Sequence, residues 1–198
     1  MRFVFFLIAS FVLGLFSFVW FPFDLLPGNA ISLLLYMQLF LVGASLVGTF
    51  ANGQSWRDEF HWSWLCYPIL ITGGAYLAGL LFSLVFDYPL FDILAVMSGL
   101  GYYSITSTLI AEVRGEELAV LGLFTNMFRE LMSIFLAPLL IRLFGKMAPI
   151  ASAASTSSDT VLPIILRFSG KEYALLAVFN GIVLTIAVPF LVVAFLGS

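Results

Sequence analysis

Charge is what this chain has least of. Only 10% of its 198 residues are Asp, Glu, Lys or Arg, against about 25% in ordinary soluble domains. Cysteine and histidine are almost absent too, with one of each, Cys66 and His61. A lone cysteine excludes an intrachain disulfide. No His, Cys and Asp residues fall at metal-ligand spacing, so no metal site and no cofactor are expected. There is no basic run and no interleaving of basic with aromatic residues, which excludes a nucleic-acid surface. G-x-S-x-G, P-loop and dinucleotide fingerprints are all missing, so nothing supports an enzyme.

What is present is apolar. Hydrophobic residues make up 62% of the chain, Phe alone numbers 22, and the mean hydropathy is +1.12. A soluble core of this size cannot hide so many large side chains, so most of the surface faces lipid. The runs are continuous rather than alternating, which argues against a β-barrel. Runs of about 20 residues, enough to cross the hydrocarbon, cover 3–21, 30–50, 62–86, 90–112, 118–143 and 173–196. A further segment, 147–168, is long enough but polar in its first half. The first run has the look of a signal peptide but is long and ends without an A-x-A-like site, so it reads as a spanning helix. The expectation is an all-α, polytopic transmembrane bundle of about seven crossings, two of them interrupted. Residues 1–198 form one domain: a three-helix scaffold over 1–86 and a core over 87–198, with breaks near 98–107 and 151–160.

Lys and Arg favour the cytoplasmic side. Arg2, Arg57 and Arg114 are therefore expected inside, and the turns holding Asp24, Asp87 and Asp92 outside. Arg167 and Lys171 join the inside if 147–168 crosses; Arg142 and Lys146 then fall outside, against the rule. This makes a multi-pass protein of a prokaryotic cytoplasmic (inner) membrane, N-terminus in and C-terminus out. Trp20, Trp56, Trp62 and Trp64 stand at helix ends, as in an interfacial belt, and His61 beside Trp62 reads as interfacial. A weak repeat pairs "GEELAVLGLFTN" with "GKEYALLAVFNG" at an offset of 55 residues. At that offset Ser104 pairs with Asp159, and the two units are expected to point the same way.

Three polar features interrupt the lipid pattern. "SGLGYYSITS" (98–107) and "ASAASTSSDT" (151–160) place Gly and hydroxyl residues within crossings. Irregular backbone at that depth is tolerated only inside protein or along a cavity, where freed N–H and C=O groups bind solutes. Close helix packing through small residues is the other reading. The third feature is "TNMFRE". Arg129 and Glu130 sit far from either helix end, where a charge costs about 2.5–3.5 kcal/mol, and Asn126 is one turn before Glu130. Neighbours on a helix diverge by about 100°, so each charge reaches another helix, with Asp159 the expected partner of Arg129. Burial favours the neutral carboxyl, which makes Glu130 and Asp159 candidate proton carriers, with Glu112 a vestibule residue. Candidate substrate ligands are Glu130, Asp159, Arg129, Asn126, Tyr102, Tyr103, Ser104, Thr106, Ser155, Thr156 and Ser158. With Arg129 counted, the cluster carries −1, which suits a cation.

"SGLGYYSITSTLIAE", "LFTNMFRELMSIFLAPLLIR" and "STSSDTVLPIILRFSG" together resemble, in order and spacing, the LysO-type lysine exporter family of bacteria and archaea. The resemblance runs from about Ala30 to the C-terminus, with "TSSDTVLP" carrying its Thr one position away from the family pattern. It implies export of L-lysine, coupled to proton entry as an antiport, with Glu130 important for it. Lysine's net +1 would match the −1 cluster. Full-length members carry a further N-terminal membrane half with its own acidic residue. The resemblance therefore implies that this chain corresponds to the C-terminal part, and that a working transporter needs a companion small membrane subunit or a homodimer. The partners so implied are a small-molecule substrate and the lipid bilayer. Two other readings stay open: a sodium- or proton-coupled carrier of an organic anion, and a non-transporting assembly subunit whose charges lock helices together.

Overall fold

The computed structural model describes residues 62–197, which belong to one compact unit, Ser55–Ser198. The expected spans 3–21 and 30–50 lie outside the described residues, as do Arg2, Trp20, Asp24, Trp56, Arg57 and His61. Every regular element among the described residues is helical, the form that satisfies each backbone group within its own segment. A 3₁₀ turn, Trp62–Leu65, leads into α1 (Cys66–Ser83), followed by α2 (Leu90–Met97), α3 (Tyr103–Arg114) and α4 (Glu116–Phe135). Then come α5 (Ala137–Phe144), α6 (Ala148–Ala153), a 3₁₀ turn (Ala154–Ser158) and α7 (Leu162–Phe168). A last 3₁₀ turn, Lys171–Tyr173, opens α8 (Ala174–Leu196). Among the described residues, three stretches are long and apolar enough to cross a membrane: Trp62–Ser83, Glu116–Phe135 and Lys171–Leu196. The single run expected over 118–143 is divided at Leu136, because Pro138 brings no N–H to the carbonyl four residues back.

The helices are inside out relative to a soluble bundle. On α4, Gly122, Asn126, Glu130 and Ser133 are buried, while Phe124, Phe128 and Met132 are exposed one turn apart. On α8, Ile182, Ile186, Phe190 and Val193 form an exposed stripe, opposite Leu184, Val188 and Val192, which join Ile71, Ala75, Val96, Leu100, Ile110 and Ala154 in the core. Polar groups turned inward and an apolar stripe turned outward are what lipid as solvent demands.

The two interrupted segments turn back instead of crossing. Arg114 Nε, at the end of α3, lies 3.0 Å from Asp92 Oδ1, in the first turn of α2, and Tyr88 donates to Glu117 across 3.4 Å. Both ends of 90–114 therefore lie at one end of the bundle. Arg114 and Asp92, which the charge rule puts on opposite sides, are an ion pair. Likewise Lys146 Nζ, before α6, lies 3.3 Å from Glu172 Oε1, after α7. Residues 148–168 thus form a second hairpin, and Lys146 shares a side with Lys171 and Glu172. That side is the opposite one. The start of α1 is tied to it by Tyr67, which donates to the Met147 carbonyl at 2.9 Å. The far end of α1 meets the first hairpin's side, where Phe82, Phe86, Tyr88 and Leu118 line a common apolar cavity.

The repeat is real but inverted. Each unit is a hairpin followed by a long helix, 90–114 with α4 and 148–168 with α8, and the two enter from opposite ends. The expectation that both point the same way is corrected by these end-to-end contacts. Geometry also refines the register. Leu100 and Ala154, 54 positions apart, are the two non-glycine residues with positive φ among the described residues, at 46° and 52°, a conformation uncommon outside glycine. Asn126 and Asn180, again 54 apart, each bind the break beside them. The topology has a direct check. Single cysteines at 117 and 172 (E117C and E172C, each with C66S) are expected to react with an impermeant thiol reagent from opposite faces of the membrane; reaction from the same face would restore the crossing arrangement.

Candidate functional site

The two hairpin tips meet in the interior. Leu100 O accepts from Ser155 N at 3.1 Å and from Ser155 Oγ at 2.8 Å. Gly101, at φ 95°, permits this approach: a β-carbon there would stand 3.1 Å from Ala153 O. The interruption in the first hairpin spans 98–102, so Thr106 lies within α3 and gives its hydroxyl to Tyr102 O.

Each tip is stitched to its long helix by an asparagine. Asn126 Oδ1 accepts from Gly101 N at 2.8 Å, and its Nδ2 donates to Val96 O and Gly122 O at 3.1 and 2.9 Å. One side chain thereby satisfies the Gly101 amide that the broken helix leaves open and adds a second donor to the Val96 carbonyl, which also accepts from Gly99 N at 3.2 Å. Asn180 Nδ2 donates to Ala154 O at 3.1 Å and to Ser157 Oγ at 3.2 Å, and Ser157 in turn donates to Ala177 O at 2.8 Å. The hydroxyl run is spent in the same way. Ser155 serves Leu100, Thr156 donates to Ala153 O at 3.0 Å, and Ser158 to Ser155 O at 3.4 Å. These hydroxyls hold the tip together, the role that the small-residue composition left undecided. Tyr102 caps α3 and is half-buried, while Ser104 is exposed and offers its carbonyl to Ser107 and Thr108.

The carboxylates do come together. Thr160 Oγ1 donates to Glu130 Oε1 and lies 3.2 Å from Asp159 Oδ1. Glu130 comes from the buried face of α4, 9% exposed, and Asp159 and Thr160 from the exposed turn that follows the second tip. Tyr103, at the start of α3, is within electrostatic reach of both acids. Glu112 stays exposed in the last turn of α3 and makes none of these contacts. Thr160, the residue that joins the two acids, drew notice in the sequence only as the displaced threonine of "TSSDTVLP" and was given no role there.

Arg129 does not pair with Asp159. Its Nε donates to Ser152 O at 2.9 Å and its Nη2 to Ala151 O at 3.2 Å, so it caps the carbonyl end of α6, where a cation is favoured. Ser133 reinforces the contact by bonding Ser152 Oγ at 2.7 Å. The separation follows from helix geometry: residues 129 and 130 straddle the second hairpin, one on each arm. Asp159 therefore shares the Thr160 hydroxyl with Glu130 and lacks the expected counter-cation, Arg129.

Comparison with known proteins decides the family. The model described as Lysine exporter LysO matches residues 4–196. The chain belongs to the lysine exporter LysO family. The match reaches into the first expected span, well before Ala30, where the motif resemblance begins. Lysine exporter LysO of Escherichia coli strain K12 is 29% identical over 162 residues, 81% of this chain and 53% of that protein. The chain thus spans about half the length of that relative. A protein of Haemophilus influenzae strain Rd, described as a putative lysine exporter, is 28% identical over 170 residues, 85% of each chain. No solved structure matches. The LysO family is one of membrane transporters, not of enzymes.

The stitching role is testable. Replacing Asn126 by Leu leaves the Gly101 N–H unpaired and takes one of two donors from the Val96 carbonyl, which keeps Gly99 N, so N126L is expected to cost about 1–3 kcal/mol, read as a fall in Tm of the purified protein. An unchanged Tm would show that the tip does not depend on Asn126.

Proposed function

We propose that this chain forms the substrate-handling core of a proton-coupled exporter of lysine or a closely related basic amino acid, in the cytoplasmic membrane. The observation that carries the reading is the pair of carboxylates, Glu130 and Asp159, joined through one threonine hydroxyl between the helix interruptions. Thr160 has a single proton to give. When it donates to Glu130, Asp159 Oδ1 keeps the Thr160 N–H as a donor. Two carboxylates joined through one hydroxyl repel when both are ionised, so without a cation between them the pair holds one proton in this proposal. An arriving ammonium group supplies its own donors and positive charge, so the proton leaves and both acids face the guest. Exchange of one cation for another at a single site is the elementary step of antiport, and Tyr103 is placed to sense the exchange.

The two-ended geometry supports an orientation. The end of the second hairpin gathers Arg142, Lys146, Arg167 and Lys171, with Glu172 the acid between them. The other end holds Asp87, Asp92, Glu112, Glu116 and Glu117 around Arg114. By the excess of Lys and Arg, the second hairpin enters from the cytoplasm and the first from outside. This removes the conflict over Arg142 and Lys146 and moves Arg114 to the outer face. Phe195, near the end of α8, packs 6.5 Å from Phe91 of the first hairpin, which supports the C-terminus outside. A companion membrane subunit or a second copy completes the transporter in this proposal.

Two substitutions test it in cells or vesicles that express the chain with whatever partner it needs. E130Q is expected to abolish lysine efflux while membrane insertion is unchanged; normal efflux would refute the assignment. T160V is expected to lower efflux roughly 10-fold or more, about the 1.4 kcal/mol of one hydrogen bond to a charged group, with T160S close to wild type. Equal loss in both threonine variants would point to side-chain packing instead of the hydroxyl.

A further inference from the structure

Arg129 is the charged group in the middle of α4 that proton exchange does not use. Its guanidinium carries five N–H donors in a planar fork. Two are engaged, by the carbonyls of Ser152 and Ala151, and three remain. Among the described residues the ion pairs are Arg114 with Asp92 and Lys146 with Glu172, so no carboxylate there answers Arg129. Beside it is a cavity of about 310 Å³, lined by Met97, Thr125, Asn126, Arg129 and Ser152. Three elements of the core contribute: the first hairpin brings Met97, the long helix Thr125, Asn126 and Arg129, and the second hairpin Ser152. A volume near 300 Å³ is at the small end of ligand pockets, right for a functional group or a small solute. A guanidinium at this depth with only two neutral acceptors is costly, and a carboxylate in the fork would offset that cost with paired charge-assisted hydrogen bonds.

We propose that this cavity is an anion subsite that takes the carboxylate of an α-amino acid, while Glu130 and Asp159, joined by Thr160, take an ammonium group of the same molecule. The inference rests on the carboxylate-pair reading above and adds the other end of the substrate. Consecutive residues of one helix, straddling the second hairpin, then read the two ends of a zwitterion. The consequence is selectivity by class: a basic amino acid is accepted, and a diamine of the same chain length, which lacks the carboxylate, is rejected. Because Met97 and Ser152 belong to opposite hairpins, the cavity exists only while the two tips are together.

The test uses the full chain, purified in nanodiscs with any companion subunit, and compares binding of L-lysine, L-lysine methyl ester and 1,5-diaminopentane by calorimetry at a pH where every amine is charged. Lysine is expected to bind roughly 10- to 100-fold more tightly than the ester or the diamine, the range of a charged hydrogen-bonded contact. R129Q is expected to abolish that preference by weakening lysine alone, and R129K to restore part of it. Wild-type protein that binds the ester or the diamine as tightly as lysine would overturn the subsite and leave the carboxylate-pair reading standing. So would an R129Q protein that weakens all three ligands equally, as a role confined to capping α6 would produce. Failure of all three ligands to bind the wild type would instead remove the carboxylate-pair reading, and this inference with it.

Discussion

Everything in the interior of this protein depends on one carbonyl. Leu100 O, at the tip of the first hairpin, accepts both the amide and the hydroxyl of Ser155 at the tip of the second. In lipid an open carbonyl has no water to turn to, so a hairpin that stops halfway across the membrane needs a partner for its end. Here each tip is the other's partner. Asn126 and Asn180 then absorb the groups that the tips cannot satisfy between themselves, and the serine-rich run supplies the remaining donors. With the tips fixed, the carboxylate pair and the Arg129 cavity fall on either arm of the second hairpin without further machinery.

Inverted repetition explains why so short a stretch accomplishes this. One hairpin-and-helix unit could enter the membrane but would expose its tip to acyl chains. A second unit from the opposite side brings a tip of matching chemistry, including positive φ at equivalent positions, Leu100 and Ala154. The units have diverged where function differs. At the offset of 54, Ile105 corresponds to Asp159, and only the second unit supplies an acid there. Asn126 uses both ends of its amide, whereas Asn180 Oδ1 is buried without a partner, so the second tip is the less completely tied of the two.

How much of this could be read from residues alone follows from what each feature costs. The lipid-facing character was plain, since stripes such as Phe124, Phe128 and Met132 have no other solvent. The interior charges were equally plain, because Glu130 in an apolar run is too expensive to be incidental. Whether 90–112 and 147–168 cross or return was not legible. Both arrangements need about 20 residues with a polar middle, and the deciding contacts, Asp92 with Arg114 and Lys146 with Glu172, join residues 22 and 26 positions apart. Charge counting put Arg114 and Asp92 on opposite sides, and the ion pair between them puts both on one. The Arg129–Asp159 pairing also failed: opposite sign suggested a partner, but the carbonyl end of α6 was closer. Thr160 left no trace in composition, and only the geometry of the turn gives it two acids to join.

The unequal hairpins have an electrical consequence. The arms of the first run to 8 and 12 residues, those of the second to 6 and 7. At about 1.5 Å per helical residue, the first reaches some 12–18 Å inward and the second only about 9–10 Å. Measured from its own end of the bundle, the first tip therefore lies deeper than the second, and in the proposed exporter the voltage drop is divided unevenly around their meeting point. A charge entering from the second hairpin's side crosses the smaller share of the field, and one entering from the first crosses the larger. Membrane potential, worth about 2.3 kcal/mol per elementary charge per 100 mV, thus acts mainly on one of the two half-journeys.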